Sequence, residues 1–230
     1  MARRVCPWWI GWILASPLRR LGQDPRAVLG PWVAEGMTVL EPGPGMGFFT
    51  LELARLVGPR GRVVAVDVQP RMLAGLRRRA RRAGLLDRID ARLSRGDTLG
   101  VGDLEGRADL VLAFAVVHEV PDATRFLAEA ASALRPGGRL LLAEPAGHVS
   151  GEEFAATLAA AAAAGLRLES RPAIRRSRAA MLVKPSSDAL APPGGNRAAG
   201  RAAGIDRGGS REGSTRRESR SLCFRWSPPP

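Results

Sequence analysis

Between Val39 and Gly47 the chain reads Val-Leu-Glu-Pro-Gly-Pro-Gly-Met-Gly: a short apolar run, an acid, then glycine at every second position. Phe48 and Phe49 follow and open what reads as a helix. A buried strand that empties into a glycine loop and then a helix is the opening of an α/β fold with crossover helices. Such a loop is also a place where a ligand touches backbone. Glycine removes the Cβ atoms that would hold the ligand off, and a helix start offers N–H groups and a positive dipole end. Spacing narrows the ligand. Dinucleotide sites read G-x-G-x-x-G, but here the third glycine comes one residue early and Phe48 stands where that pattern wants it. No Gly-Lys-Ser/Thr follows, which excludes a Walker loop.

The 230 residues fit one α/β domain with extensions. Residues 1–36 read as an N-terminal helical cap. In it Asp24-Pro25 marks a helix start, with Asp as N-cap and Pro at the first position. Ala27, Val28, Leu29, Trp32 and Val33 then form a stripe that Pro31 kinks or splits and Gly36 ends. Residues 37–184 alternate strand and helix. The strands fall at 38–41, 62–66 (closed by Asp67), 89–93, 108–115, 139–143, 166–169 and 179–183, the last antiparallel. Helices run from about Phe48 to Val57, from Pro70 to the Gly84 stop, from the Asp122 cap to Leu134, and from a Ser150/Glu153 capping box to Gly165. This predicts a Rossmann-like, seven-stranded, mostly parallel sheet with helices on both faces. Residues 185–230 are rich in Pro, Gly, Ser, Arg and Ala without periodicity, and read as a disordered tail. A functional basic arm and a meaningless extension fit that tail equally.

Net charge is +13, of which the tail holds +4 from eight arginines and four acids. Such a charge invites a nucleic-acid reading. Lys184 is nevertheless the only lysine, Asn196 the only asparagine, and tyrosine is absent; a coding bias explains that pattern better than a basic groove does. Cys6 and Cys223 have no neighbouring partner, and no His/Cys spacing suggests a metal. A reducing, cytoplasmic location is the expectation. The apolar stretch Val5–Ser16 is short of the roughly 20 residues that span a bilayer, so no transmembrane segment is expected. Its tryptophans either pack the cap or rest at a membrane interface.

The motif Glu41-x-Gly43-x-Gly45-x-Gly47 resembles motif I of class I S-adenosylmethionine (SAM) dependent methyltransferases. The resemblance covers about 37–184 and includes the Leu134-Arg135-Pro136-Gly137-Gly138 turn. The segment Val117-His118-Glu119-Val120-Pro121-Asp122 is similar to the methyltransferase type 11 branch, which holds ubiquinone/menaquinone biosynthesis methyltransferases. Pro7-Trp8-Trp9 and Ser16–Arg20 resemble the opening of uncharacterised prokaryotic relatives, which places the cap with the enzyme. The resemblance implies SAM as cofactor, held at the carboxyl ends of successive strands. Glu41 attracts the ammonium, and Gly43, Gly45 and Gly47 let the methionine part lie on backbone. Asp67, 20 residues past Gly47, accepts from the ribose hydroxyls. Val68 packs on the adenine, Asp97 accepts from its amino group with Thr98 beside it, and Phe114 lies below adenine and sulfonium.

Methyl transfer by in-line displacement needs alignment and exclusion of water, plus a base where the acceptor still carries a proton. His118 is the candidate base; a histidine past a buried strand also commonly just bonds backbone. Glu119, Glu144 and His148 lie on the same rim, where they contact substrate or face water. Trp8, Trp9 and Trp12 roof an apolar acceptor or merely pack the cap. No Asp/Asn-Pro-Pro-Tyr/Phe follows the fourth strand, which argues against base-amine methylation. The lack of core cysteines argues against C5 pyrimidine methylation and arsenite methylation. The expectation is a small-molecule methyltransferase. The alternatives are an RNA- or ribosome-directed enzyme using Arg71, Arg77, Arg78, Arg79, Arg81 and Arg82, and a non-catalytic SAM-binding protein. The acceptor and the oligomeric state are not legible.

Overall fold

A computed structural model describes residues 23–186 of the chain. Trp8, Trp9, Trp12 and both cysteines lie outside the described residues, as do most of the expected cap and all but the first two residues of the expected tail.

In chain order the elements are α1 (Pro25–Leu29), β1 (Thr38–Pro42), α2 (Thr50–Leu56), β2 (Arg62–Asp67), α3 (Pro70–Arg82), β3 (Ile89–Leu93), β4 (Ala108–Phe114), α4 (Ala123–Ala133), β5 (Leu134–Pro145), α5 (Gly151–Ala163), β6 (Arg167–Ser170) and β7 (Ser177–Val183). One seven-stranded sheet holds them in the order β3-β2-β1-β4-β5-β7-β6. The strands β3 to β5 run parallel, while β7 lies antiparallel between β5 and β6. The order reverses between β1 and β4, and open α/β sheets take ligands at the strand carboxyl ends beside that switch.

Strand periodicity of two sends alternate side chains to opposite faces. Leu40, Val64, Val66, Val111, Leu140 and Leu142 pack with Phe126, Leu127 and Phe154 of α4 and α5. Val39, Val63, Ala65, Leu110, Leu112 and Leu141 pack with Leu29, Leu53, Leu73 and Leu76 of α1, α2 and α3. Both faces of the central strands are therefore covered, which is why β4 is apolar along nearly its whole length.

Local chemistry sets the element ends. Asp24 accepts from the Arg26 N–H at 3.0 Å and Pro25 opens α1. Asp122 caps α4 by accepting from the Arg125 N–H, and Ser150 with Glu153 forms the reciprocal box of α5. Lys184, the only lysine of the chain, donates from Nζ to the carbonyls of Ala131 (2.8 Å) and Leu134 (2.7 Å) at the end of α4. A cation there meets both the unpaired carbonyls and the negative dipole end.

Two boundaries differ from expectation. The glycine loop passes through Phe48 and Phe49 before α2 begins at Thr50, because both rings are buried and pack on each other at 5.0 Å. The turn 135–138 does not precede β5 but is absorbed by it: Ala108 pairs with Leu134, Leu110 with Arg139, and the residues between bulge out. Gly138 lets them do so, since a Cβ there would sit 2.8 Å from the Arg135 carbonyl oxygen. No helix among the described residues is long and apolar enough to cross a membrane.

Candidate functional site

The glycine loop begins as an extension of the sheet: the Gly43 N–H donates to the Val66 carbonyl at 2.8 Å. Its three glycines all have positive φ, at +68° for Gly43, +55° for Gly45 and +84° for Gly47. They serve different ends. A Cβ on Gly43 would sit 2.8 Å from Val116 Cγ2, so the loop packs against the turn after β4; one on Gly47 would sit 2.4 Å from Leu76 Cδ1, so α3 closes on the loop. A Cβ on Gly45 would meet nothing within 4 Å. Gly45 is thus the glycine that opens backbone to a ligand, and Arg79 of α3 holds the loop by donating to the Met46 carbonyl.

The loop forms one wall of a cavity of about 1120 Å³ at the carboxyl ends of β1, β2, β3 and β4. Pockets for one drug-sized ligand run roughly 300–1,000 Å³, so the space exceeds a single ligand. The cavity brings together Glu41, Gly43, Gly45, Asp67, Val68, Asp97, Thr98, Phe114, His118 and Glu119, together with His148. Gly47 does not line it; its role is packing.

Glu41 ends β1 only 4 % exposed, and its Oε2 lacks a hydrogen-bond partner. Burial pushes its pKa up to about 8; the nearby Thr50 hydroxyl lowers it somewhat without completing a bond, and the Asp67 charge raises it. Asp67 ends β2 and is also buried. Its Oδ1 accepts from the Gln69 N–H at 2.8 Å and its Oδ2 from the Gly45 N–H at 3.2 Å. Burial raises the Asp67 pKa, those two amides oppose the rise, and the Glu119 charge adds to it. A carboxylate accepts about four hydrogen bonds, so Asp67 keeps capacity for a ligand while fixing the loop.

On the β3 side, Asp97 is 72 % exposed at its side chain, and Arg125 of α4 approaches it at 3.9 Å. Thr98 is committed within the protein. Its hydroxyl donates to Glu129 at 2.9 Å and its carbonyl accepts from Ser94 at 2.5 Å. Glu129 also accepts from the Leu99 N–H at 2.6 Å and pairs with Arg125. The loop that carries Asp97 is therefore tied to α4 through Glu129 and Arg125, two residues the sequence did not single out. Phe114 ends β4 and stacks at 4.4 Å on Phe49. Val68 is exposed beside Asp67.

After Phe114 the backbone turns sharply at Ala115, whose φ is +53°. The turn leads into a 3₁₀ turn, Val117–Glu119. There the structure corrects the sequence reading of Glu144. This residue does not face water: it is 1 % exposed. Its Oε1 accepts from the Val117 N–H at 2.8 Å and the Val116 N–H at 3.3 Å, and its Oε2 meets His118 Nδ1. His118 Nε2 lies 3.9 Å from Glu119 Oε1, and the His148 ring stands 6.1 Å away. The only sequence signal for this dyad was that both residues follow neighbouring strand ends.

A family model described as "Methyltransferase domain" matches residues 34–175, and the chain belongs to that family. It is 32% identical over 112 residues to a ubiquinone/menaquinone biosynthesis C-methyltransferase of Pasteurella multocida, covering 49% of this chain and 41% of the relative. It is 36% identical over 142 residues to a ribosomal protein L11 methyltransferase of Pelotomaculum thermopropionicum, covering 60% of this chain and 41% of that one. The chain spans less than half the length of the curated relatives it matches. Among solved structures, a SAM dependent methyltransferase from Aquifex aeolicus superposes with a TM-score of 0.69 at 24% identity, covering 78% of this chain and 98% of that one. That likeness establishes the Rossmann-like methyltransferase fold.

Proposed function

We propose that the chain is a SAM-dependent methyltransferase acting on a small, neutral or cationic acceptor. The observation that carries the reading is Glu41: a buried acid with an unpaired oxygen, on the wall of a cavity whose other strand-end acid, Asp67, grips the glycine loop. A buried carboxyl without a partner is costly. An ammonium ion satisfies it, and SAM has one. Gly45 offers open backbone beside it, Asp67 retains acceptor capacity for ribose hydroxyls, and Val68 and Asp97 stand where an adenine would lie. The residues therefore fit the group.

When bound, SAM supplies an electrophilic methyl on a sulfonium that departs as a neutral thioether. The chain's own residues then have two tasks. Phe49, Phe114 and Val116 give the acceptor side an apolar wall that excludes water. His118 takes the proton of an acceptor hydroxyl or amine, a service worth roughly 10²–10⁴-fold in rate where the proton must leave.

The lining charges support the acceptor class. Among the described residues, Asp67, Asp97, Glu119, Asp122 and Glu129 face the cavity against the one arginine, Arg125. A phosphate or carboxylate acceptor enters that field uphill, whereas the cationic donor enters downhill. The RNA-directed reading rests on exposed arginines of α3 such as Arg81 and Arg82.

Calorimetric titration with SAM tests the proposal first, and titration with a mixed RNA at two salt concentrations tests the alternative. Saturable one-to-one binding of SAM with weak RNA binding is expected. No heat with SAM would overturn the reading. Tight RNA binding that falls steeply with salt would move the acceptor to the RNA class.

A further inference from the structure

We infer that Glu144 is a positioning residue that holds His118 as the Nδ1–H tautomer, so that Nε2 carries the lone pair that takes the acceptor's proton. The inference rests on the proposed methyl transfer and names the half of the base that the sequence concealed. Glu144 lies at the end of β5 and is 1 % exposed. Two backbone amides, Val116 and Val117, donate to its Oε1. The two amides can only donate, so Oε1 is an acceptor and Oε2 is the oxygen that faces the ring. As a carboxylate, Glu144 accepts there, and Nδ1 is the donor. A ring with Nδ1–H presents an unprotonated Nε2, and His118 lines the cavity. The other titratable groups around it are Glu119, at 3.9 Å from Nε2, and His148.

In the step this arrangement serves, the proton of an acceptor O–H or N–H passes to Nε2. The acceptor's bond to the methyl forms as the bond from that methyl to sulfur breaks, its electron pair staying on sulfur. The ring becomes an imidazolium whose charge the buried Glu144 carboxylate balances. A second carboxylate behind a histidine base fixes both its orientation and its tautomer.

The test is Glu144→Gln. The single oxygen of a glutamine is claimed by the Val116 and Val117 amides, which turns its NH₂ toward Nδ1. His118 must then accept at Nδ1 and carry its proton at Nε2. The chain has two histidines, so ¹⁵N spectra of histidine-labelled protein resolve both rings, with His148→Gln assigning them. Spectra are read at alkaline pH. The expected result is a protonated Nδ1 and bare Nε2 for His118 in the parent protein, exchanged in Glu144→Gln. A parent protein with Nε2–H or with averaged nitrogens overturns the proposal, as does a variant with the parent's tautomer. If Glu144→Gln fails to fold, the parent spectrum alone decides. SAM calorimetry on both proteins separates this inference from the functional reading. Affinity within about twofold in the two proteins is expected, while absence of binding in the parent would sink the methyltransferase reading and leave the tautomer result standing. With an acceptor in hand, Glu144→Gln should lower kcat by about 100-fold with KM for SAM unchanged, and Glu144→Asp should recover part of it.

Discussion

Glu41 makes the apo protein's stability depend on pH in a direction that can be worked out. Its pKa rises from an ordinary 4.5 to about 8, mainly because the folded chain buries it, with Oε2 left unpartnered. The folded state therefore holds a proton there that the unfolded chain gives up between those two values. Stability rises with pH only where the unfolded state binds more protons. Here the folded state binds more, so this contribution is fully present below pH 4.5 and is lost as pH rises through 8. The full difference corresponds to about 5 kcal/mol, and the slope in the window to about 1.4 kcal/mol per pH unit. Replacement of Glu41 by Gln removes the titration while keeping the shape. Urea unfolding of the parent and Glu41→Gln at pH 5, 6, 7 and 8 reads both slopes. The expected result is a slope less negative by about 1 kcal/mol per pH unit in the variant. The same change should weaken SAM binding at least tenfold, because the ammonium loses its charged partner. Parallel pH dependences in the two proteins would refute the reasoning, since they would mean that Glu41 is hydrated and ionised throughout.

Asp67→Ala should lower SAM affinity at least tenfold by calorimetry, since it removes the ribose acceptor and frees the Gly45 and Gln69 amides; unchanged affinity would reject the assignment. Gly47→Ala should cost more stability than Gly45→Ala in urea unfolding, because both strain a positive φ but only the first drives a methyl into Leu76, at 2.4 Å. Equal losses would mean that the two glycines are kept for backbone conformation alone. Ala115→Gly should stabilise the fold by about 0.5–1 kcal/mol by relieving a left-handed alanine, and a loss of stability would show that the alanine methyl supplies more packing than its backbone costs.

The sheet was legible because its signals are local. The near-continuous apolar runs Val63–Val66 and Leu110–Ala113, and punctuation by Gly58, Gly84 and Asp122, need no knowledge of neighbours. The boundaries that differed depend on tertiary contact. Nothing local says that Phe48 and Phe49 pack on each other rather than continue a helix, or that Gly138 lets a turn fold into β5. The meeting of the two strand-end acids was legible for a similar reason: Glu41 and Asp67 each close a recognisable strand, and parallel pairing of β1 with β2 brings those ends together. The link between Glu144 and His118 was not. Twenty-six residues separate them in sequence. They meet only because Phe114 pairs with Ala143 in parallel register and because Ala115 takes a left-handed turn that swings His118 back over β5. Neither the register nor the turn has a sequence signature, as alanine is a poor marker for positive φ.

The distribution of charge completes the argument about the acceptor. A net charge of +13 reads as an invitation to polyanions only if the arginines are available. Several within the domain hold the fold together instead. Arg79 secures the glycine loop and Arg77 donates to the Ala91 carbonyl of β3. Arg92 spans Asp90 and Asp103, Arg135 meets Asp109, and Arg139 makes two bonds to Glu169. Arginine's planar fork suits such cross-links better than lysine's point charge, which gives the bias of composition a structural use. Other acids stand at the cavity: Asp67, Asp97, Glu119, Asp122 and Glu129 line it. We infer that this acidic lining favours entry of a sulfonium ion over that of an anion. On that account the placement of the charged groups says more about the acceptor than the net charge does.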